Sequence, residues 1–370
     1  MKRVAFFLYS LSGGGTERVN LSLMDELLRM GYLLDLILVQ NRGELVREVP
    51  AGVRVLDLKN QRAAACVFHL AAYLRAEQHA VLFTAFPTLN LVGIAASLFA
   101  HRGTVVVPTE HMPVSTDARE NPDIEPRLAY RLYPLFYRYA SAVVVNNHEA
   151  AQDFRDTYPS VSEDKLHVIY NPVVSQRLLD MIAEPTELAC FLEEPRRPIV
   201  LGVGRLSRQK NFPLLVEAFA LVRAQLDCCL VILGEGDRRA EIVERVAALK
   251  LQKDVILPGF VKNPYPYMAG SDVFVLSSIY ETLPTVLIEA LACGAPVVAT
   301  KCFGVAEILC NGEYGAILQR PSAEALADAI LRKLSNKPDR NSLRQRGCEF
   351  SVAAAATKYA ELIERLTLSR

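Results

Sequence analysis

The sequence contains no tryptophan and carries no formal net charge. Its 41 basic and 41 acidic side chains balance over 370 residues, so no overall excess of positive charge favours nucleic acid as a partner. Apart from the N-terminus, the longest apolar stretch runs over residues 89–100, is interrupted by Asn90 and is too short to span a bilayer. These absences argue against a nucleic-acid-binding protein and against a membrane-spanning one.

Metal-binding and disulfide patterns are also missing. There is no Cys-x-x-Cys pair and no Asp-x-Asp motif, and several of the eight cysteines lie inside apolar, strand-like runs. This distribution is typical of reduced, buried cysteines. Residues 1–9 resemble a weak signal peptide, but cleavage after the following glycines would remove the first predicted strand. We therefore expect a cytoplasmic protein without a disulfide framework or a zinc site.

Apolar strand-like runs alternate with helical patterns along most of the chain. A length of 370 residues with 51% hydrophobic content suits two domains. Alternating strands and helices predict parallel sheets covered by helices, so the fold class is α/β with two Rossmann-like domains. The predicted strands fall into two sets of six, at 3–10, 34–40, 53–57, 80–84, 104–108 and 142–146, then at 199–204, 228–234, 254–258, 273–277, 296–300 and about 314–318.

The boundaries follow from this alternation. We predict an N-terminal domain over 1–172, a connector over 173–198 that lacks any strand signal, and a C-terminal domain over 199–350. Residues 351–370 have a helical pattern.

The segment from Ser277 to Val298 is the most informative one. A buried strand leads into a loop with Glu281, then into a short helix that starts near Pro284, contains Glu289 and stops at Gly294. Such a helix start, with free N–H groups and a positive dipole end, favours a phosphate. The two glutamates, eight positions apart, can hold different parts of one ligand. An ordinary strand–helix unit with two solvated acids is the alternative.

A second motif, Gly204-Arg205-Leu206-Ser207-Arg208-Gln209-Lys210, follows the strand at 199–204. A guanidinium and an ammonium at a strand end suit a diphosphate, whose charge grows as it leaves a substrate. Asn211 is placed to cap the next helix. The alternative is a pair of solvated surface cations.

The first loop, Ser12 to Val19, is rich in glycine. It lacks the third glycine of a dinucleotide fold, because Arg18 stands there, and the Gly-Lys-Ser/Thr of a P-loop. Glycines still allow backbone N–H groups to approach a phosphate closely. A tight turn without a ligand is the alternative.

His111 follows the strand at 104–108, where catalytic groups of open α/β sheets lie. A structural histidine is the alternative.

In residues 127–139, arginines interleave with aromatic side chains, a pattern found both in protein cores and at anionic membrane surfaces. We favour the core interpretation, with Pro134 ending or kinking the helix, and keep peripheral membrane contact through Arg127, Arg131 and Arg138 as the alternative.

Together these motifs resemble the retaining GT-B glycosyltransferases of family 4, which include sucrose synthases and transferases that build lipopolysaccharide and capsule. The Glu-x7-Glu and Gly-Arg-Leu-x-x-x-Lys signatures occur in the family's order, and the similarity runs from the first strand to about residue 320. One departure is Thr282-Leu283-Pro284, where relatives carry Gly-Phe-Gly or a similar sequence.

The resemblance implies roles for individual residues. Glu281 and His111 would contact the transferred sugar, Arg205 and Lys210 the leaving diphosphate, and Glu289 the ribose. Because two cations would neutralise the diphosphate, the resemblance implies no metal and no cofactor. It also implies that two Rossmann-like domains face a central cleft, and that the last helix crosses back to the N-terminal domain. The remaining donor-binding residues implied by the resemblance are Gly14, Gly15, Gly234, Val261, Leu283, Pro284 and Thr285.

For function, the resemblance implies transfer of a hexosyl or N-acetylhexosaminyl group with retention of anomeric configuration. The donor would be a nucleotide-sugar, with UDP favoured, and the acceptor a saccharide or lipid-linked saccharide of bacterial cell-surface polysaccharide. Two alternatives are a GT-B sugar-nucleotide epimerase, which needs no acceptor, and a non-catalytic nucleotide-sugar binding protein.

Overall fold

The computed structural model describes residues 2–12, 15–100, 103–121, 123–187, 196–281, 283–336 and 338–368. The chain divides into two compact units, the first comprising Met1–Pro172 with Val352–Arg370 and the second Val173–Ser351. Among the described helices, none is both long enough and apolar enough to cross a bilayer.

The first unit contains a seven-stranded, fully parallel sheet in the order β3-β2-β1-β4-β5-β6-β7. The strands are β1 (Arg3–Leu8), β2 (Leu33–Leu38), β3 (Arg54–Asp57), β4 (Val81–Ala85), β5 (Val105–Glu110), β6 (Val143–Val145) and β7 (Leu166–Val168). The helices are α1 (Gly15–Arg29), α2 (Val67–Glu77), α3 (Pro87–Ala100), α4 (Val114–Glu120), α5 (Ile124–Phe136) and α6 (His148–Thr157).

Strand β1, inside this sheet, is apolar and buried from Val4 to Leu8 because both of its faces are covered. Alternate residues of β1 point to opposite faces, so Phe6 joins the core beneath α1 while Phe7 joins the core beneath α2, α3 and α5. Such continuous apolar runs are typical of parallel strands buried on both sides.

The second unit contains a six-stranded parallel sheet in the order β10-β9-β8-β11-β12-β13. The strands are β8 (Ile199–Val203), β9 (Cys229–Leu233), β10 (Val255–Gly259), β11 (Val273–Leu276), β12 (Val297–Thr300) and β13 (Ala316–Leu318). The helices are α7 (Gln176–Met181), α8 (Phe212–Arg223), α9 (Arg239–Ala248), α10 (Tyr265–Gly270), α11 (Thr285–Ala292), α12 (Val305–Ile308), α13 (Ala323–Ser335) and α14 (Arg340–Cys348).

The last helix, α15 (Val352–Leu368), belongs to the first unit. Its buried face, which includes Tyr359 and Ile363, joins the core around Phe83 and α1. The ring centroids of Phe83 and Tyr359 are 5.2 Å apart. The ends of the chain also meet on this unit, where Lys2 Nζ donates to Thr367 Oγ1 at 2.6 Å.

The structure changes several expectations. Strand β5 continues to Glu110 rather than ending at 108, and β7 is a short strand that the sequence did not indicate. Pro134 lies inside α5. Among the cysteines in the described ranges, Cys66, Cys228, Cys229, Cys293 and Cys302 are buried, but Cys310 is partly exposed and Cys348 is exposed. The expectation of buried cysteines therefore does not hold for these last two.

Candidate active site

In the second unit, the loops after β8 and β11 lie side by side. These strands are hydrogen-bonded neighbours although they are not consecutive in the chain, so the strand order reverses between them. In open α/β sheets, ligands bind beyond the carboxyl ends of strands at such a switch point. The loop after β8 carries Arg205 and Lys210, and the loop after β11 carries Glu281.

Lys210 and Glu281 are ion-paired at this point, with Nζ and Oε1 2.6 Å apart. Both side chains are largely shielded, at 18% and 9% exposure. Ser278 Oγ donates to the same carboxylate oxygen at 2.6 Å, and Gln209 Nε2 donates to the other at 3.4 Å. The backbones are tied together as well, because Ile279 N donates to Gln209 O and Ser277 Oγ to Lys210 O. The pair is therefore held by both loops.

Glycines allow the neighbouring strand ends to approach closely. Gly204 and Gly234 have φ angles of +154° and +146°. A Cβ at Gly234 would lie 1.9 Å from Gly204 O, and one at Gly204 would lie 3.3 Å from Lys210 Cε. Side chains at these two positions would displace the loop that carries Lys210 or the lysine itself.

Helix α11 starts beside this loop. Pro284 occupies its N-cap position, one residue before the first turn in which the sequence had placed it, and Thr285 begins the helix. Leu283 and Pro284 are buried. Glu289, inside the helix, is partly buried, and burial raises the pKa of its carboxyl group to about 7 while the charge of Lys210 opposes that rise. Lys210 therefore acts electrostatically on both glutamates.

The other donor-binding residues expected in the second unit are Arg205, Gly234 and Val261. Arg205 is exposed in the loop after β8, with no ion pair among the residues that the structure describes. Val261 is half-buried after β10. Asn211 occupies the N-cap position of α8, but its backbone is left-handed and its side chain makes no capping hydrogen bond, so the expected side-chain cap is not formed.

In the first unit, the structure places Gly15 at the exposed start of α1, and Gly14 lies outside the described residues. His111 directly follows β5 and is half-buried. Burial lowers the pKa of its imidazole to about 4, so the ring is neutral at pH 7. His111 Nε2 lies 3.0 Å from Thr109 Oγ1.

The tautomer of His111 follows from the hydrogen bonds of Thr109. A threonine hydroxyl has one proton, and Thr109 Oγ1 donates it to Thr84 O at 2.8 Å. The hydroxyl oxygen therefore accepts from His111, which places the imidazole proton on Nε2. The lone pair of Nδ1 is therefore the acceptor of the ring, and it has no hydrogen-bond donor among the residues that the structure describes.

Beside His111 lies a buried polar cluster that the sequence did not reveal. Glu110 is 4% exposed, and its Oε1 accepts from Asn90 Nδ2 at 2.9 Å and from the hydroxyl of Tyr137. Asn90 in turn accepts from Thr84 Oγ1 at 2.7 Å. Burial raises the pKa of Glu110 to about 7, although its hydrogen bonds from Tyr137, Tyr133 and Asn90 oppose that rise. The cluster connects β4, β5, α3 and the turn after α5.

Some of these residues left a signal in the sequence and others did not. Ser277 and Ser278 follow β11 directly, so a search for polar side chains at strand ends would have included them. Glu110 and Asn90 are 20 residues apart, and each lies within an apolar segment. A single polar residue in such a segment does not indicate which residue it will contact. No group of three or more His, Cys, Asp or Glu side chains in the described ranges could hold a metal ion.

Two known protein families together match most of the chain. The family described as "Glycosyltransferase Family 4" matches residues 13–177. The family described as "Glycosyl transferases group 1" matches residues 187–350. The two matches therefore follow the two units in order.

Individual proteins also resemble the chain, some over nearly its full length and others over part of it. It is 27% identical to the N-acetylgalactosamine-N,N'-diacetylbacillosaminyl-diphospho-undecaprenol 4-alpha-N-acetylgalactosaminyltransferase of Campylobacter jejuni, covering 97% of this chain and 99% of that protein. It is 32% identical to the lipopolysaccharide core biosynthesis glycosyltransferase LpsE of Rhizobium meliloti, covering 45% of this chain and 49% of that protein. Among solved structures, Anabaena HepE in complex with UDP matches with a TM-score of 0.79 and 21% identity, covering 99% of this chain and 100% of that chain.

Proposed function

Because this chain belongs to the family 4 glycosyltransferases with the GT-B fold, we propose that it moves a sugar from a UDP-sugar to a lipid-linked saccharide with retention of anomeric configuration. The observation that carries the proposal is the Lys210–Glu281 pair at the switch point of the second unit. The donor is bound by that unit, and the transferred group is a hexose or an N-acetylhexosamine.

Charge stabilisation drives the proposed reaction. As the bond between the anomeric carbon and the diphosphate breaks, negative charge grows on the leaving phosphate. Lys210 and Arg205, with the start of α11 at Leu283, Pro284 and Thr285, stabilise that charge. The acceptor hydroxyl forms the new bond to the anomeric carbon and its proton passes to solvent, so the products are a glycoside and a nucleoside diphosphate. These cations take the place of a metal ion, and no cofactor is required.

Two glutamates and one histidine position the donor. Glu289 accepts hydrogen bonds from the ribose, and the carboxylate of Glu281 orients the transferred sugar. His111, through its free Nδ1 acceptor, accepts from a sugar hydroxyl. Gly14, Gly15, Gly234 and the backbone at Val261 complete the set of donor contacts. Each of these roles is taken from the family signature, residue by residue.

The choice of donor and acceptor has two sources of support. The Campylobacter relative is named for a diphospho-undecaprenol saccharide acceptor and an alpha linkage, and it aligns with nearly the whole chain. HepE was solved with UDP. We therefore favour UDP among nucleotides and a polyprenyl-diphosphate saccharide among acceptors, in the synthesis of bacterial cell-surface polysaccharide.

A transfer assay tests this proposal. The purified chain is incubated with UDP-, GDP- or ADP-linked sugars and an undecaprenyl-diphosphate saccharide, and the product is analysed by mass spectrometry and by NMR of the new anomeric centre. The expected result is one UDP-sugar consumed, with an alpha product from an alpha donor. An inverted product would overturn retention. An epimerised UDP-sugar formed without acceptor, or binding without turnover, would overturn transfer.

A further inference from the structure

The sheet of the first unit has a switch point of its own, between β1 and β4. These strands are hydrogen-bonded neighbours, with Phe7 beside Thr84 in the register, although β2 and β3 come between them in the chain. Ligands of open α/β sheets bind beyond the carboxyl ends of the strands at such a point. The residues that follow β1 and β4 are therefore placed to contact a ligand of the first unit.

Phe86 follows β4 directly and has an unfavourable backbone conformation. Its φ angle is +80°, and no other aromatic residue that the structure describes has a positive φ. Such an angle is an outlier for a bulky side chain. Pro87 restricts the residue before it further. Conformations of this kind persist only where the surrounding structure holds them, and they are concentrated at functional sites.

Packing of the Phe86 side chain does not account for this conformation. The residue is 36% exposed, and among the described residues it is not part of the core cluster on either face of the sheet. The nearby aromatic residues Phe7 and Phe83 are 0% and 1% exposed. The strained turn therefore keeps an aromatic side chain at the surface beside the switch point, where it is available to a ligand.

The buried polar cluster beside His111 holds the turn around Phe86. Asn90 N donates to Phe86 O at 2.9 Å, and the side chain of Asn90 accepts from Thr84 Oγ1 at 2.7 Å. Asn90 Nδ2 also donates to Glu110 Oε1 at 2.9 Å. Asn90 therefore fixes the chain on both sides of Phe86 and ties it to the residue that precedes His111.

Phe86 and His111 leave the sheet side by side. Ala85 pairs with Thr109 in the register of β4 and β5, so Phe86 follows one strand end and His111 follows the neighbouring one. His111 offers a hydrogen-bond acceptor at Nδ1, and Phe86 offers an aromatic face, which carries partial negative charge. A pyranose ring matches this combination, because it has a face of C–H groups with partial positive charge and hydroxyl groups around its rim.

We propose that Phe86 is the platform on which a pyranose ring of the acceptor saccharide packs. The inference rests on the proposed function, which assigns the donor nucleotide to the second unit and leaves the saccharide acceptor to the first. The C–H face of the acceptor sugar lies on the phenyl ring. Because one buried cluster positions both Phe86 and His111, the acceptor ring is held next to the transferred sugar that His111 contacts.

Steady-state kinetics of Phe86 variants test this contact, with the undecaprenyl-diphosphate saccharide of the transfer assay as acceptor. Phe86→Ala should raise the KM for the acceptor roughly tenfold, the loss expected for one aromatic contact, and should leave the KM for the UDP-sugar unchanged. Phe86→Tyr and Phe86→Trp keep an aromatic face and should retain the original acceptor KM. Phe86→Leu keeps only apolar volume and should behave like Phe86→Ala. An original acceptor KM in the leucine variant would show that Phe86 only packs, and would overturn the proposal.

A fluorescence titration tests the same contact without any sugar transfer. The chain contains no tryptophan, so Phe86→Trp introduces a single indole at the proposed platform. The probes are the methyl glycosides of N-acetylgalactosamine, N-acetylglucosamine, galactose and glucose, with the open-chain polyol sorbitol as the control ligand. At least one glycoside should change the indole emission, and sorbitol should not. Phe68→Trp, at an aromatic residue of α2 that is 71% exposed, is the control variant and should respond to none of them.

The results distinguish this inference from the proposed function. No response of the Phe86→Trp indole to any glycoside, or an equal response in Phe68→Trp, would overturn the platform. A response to UDP alone would assign the ring to a nucleobase and would overturn it as well. Transfer with an unchanged acceptor KM in Phe86→Ala would overturn this inference and leave the proposed function intact. A glycoside response in a chain that transfers no sugar would support the platform and contradict the proposed function.

Discussion

Lys210 and Glu281 are 71 residues apart in the chain, yet Nζ and Oε1 form an ion pair of 2.6 Å that joins the loops after β8 and β11. The lysine also lowers the pKa of Glu289 against the effect of burial. One cation therefore contacts Glu281 directly and acts electrostatically on Glu289.

Replacing this lysine should weaken nucleotide binding and turnover. Lys210→Ala removes a charged contact worth about 1.5–3 kcal/mol, so we expect kcat/KM to fall by roughly tenfold to a hundredfold, with little change in melting temperature. Calorimetric titration with UDP and steady-state kinetics measure the two effects. Lys253→Ala, an exposed lysine of the same unit, is the control. Unchanged turnover in a folded Lys210→Ala protein would contradict the assignment of Lys210 to the leaving diphosphate.

Donor binding should depend on the protonation of Glu289. The pKa of this carboxyl is raised to about 7 by burial, so it is mostly protonated below that pH and ionised above it. An ionised carboxylate accepts hydrogen bonds from ribose more strongly. Binding of a UDP-sugar, measured by calorimetry between about pH 6 and about pH 8, should therefore tighten as pH rises. In Glu289→Gln this dependence should disappear, while Glu241→Gln should retain it. Binding that does not change with pH in the unaltered chain would contradict the proposed contact between Glu289 and the ribose.

The buried Glu110 predicts a pH-dependent stability. Its ordinary pKa of 4.5 is raised to about 7 in the folded state, so the folded chain binds more protons than the unfolded chain between those values. Stability from this group is fully present below 4.5 and is lost as pH rises to about 7, by about 3 kcal/mol at 1.36 kcal/mol per pH unit.

Glu110→Gln tests this contribution, because the amide oxygen can still accept from Asn90 and Tyr137. Denaturant unfolding at about pH 5 and about pH 8 should show a smaller loss of stability in this variant than in the unaltered chain. Glu125→Gln, on the exposed first turn of α5, should behave like the unaltered chain. The same loss in all three proteins would show that Glu110 does not carry the effect.

Thr109 should fix the tautomer of His111. We expect nitrogen NMR of the imidazoles to show the Nε2–H form for His111 in the unaltered chain and in Thr109→Ser, which keeps the hydroxyl. Thr109→Val removes the acceptor for Nε2–H, and a mixture of tautomers with about tenfold lower turnover should follow. Observation of the Nδ1–H form in the unaltered chain would refute the assignment.

Gly234 should tolerate no side chain. Gly234→Ala combines an unfavourable φ of +146° with a Cβ placed 1.9 Å from Gly204 O. Gly312→Ala is a matched control, because its φ is +110° but nothing lies within 4 Å of the added Cβ. Backbone strain alone costs about 1–3 kcal/mol, so the free energy of unfolding should fall more in Gly234→Ala, and UDP binding should be lost only there. Equal losses in the two variants would show that the close approach is unimportant.

Most strands could be predicted because parallel strands buried on both faces are continuous apolar runs. Strand β7 could not, since Leu166, His167 and Val168 are only half-buried and include a polar residue. Strand β5 was predicted too short because Thr109 and Glu110 are polar. Both fit in the interior only because Thr84, Asn90 and Tyr137 supply hydrogen-bond partners from other elements.

The positions of Arg205, Lys210 and Glu281 after strand ends could be predicted from the sequence, because continuous apolar runs mark the strands before them. Their mutual arrangement could not. Sequence reasoning assigned Lys210 to a phosphate and Glu281 to a sugar, and gave no indication that the two side chains pair with each other. The sequence also did not show which side chains around α5 are buried. In the structure the tyrosines of this segment face inward, while its leucines and arginines face outward.

The return of α15 to the first unit has a consequence for how the chain is made. Ribosomes release residues in order from the N-terminus, so every residue of the second unit, up to Ser351, emerges before α15 does. The buried side chains of Tyr359 and Ile363 complete the core that begins with β1. During synthesis the second unit can therefore finish folding while the first still lacks part of its interior, and truncation of the last helix would leave the earlier-made unit as the incomplete one.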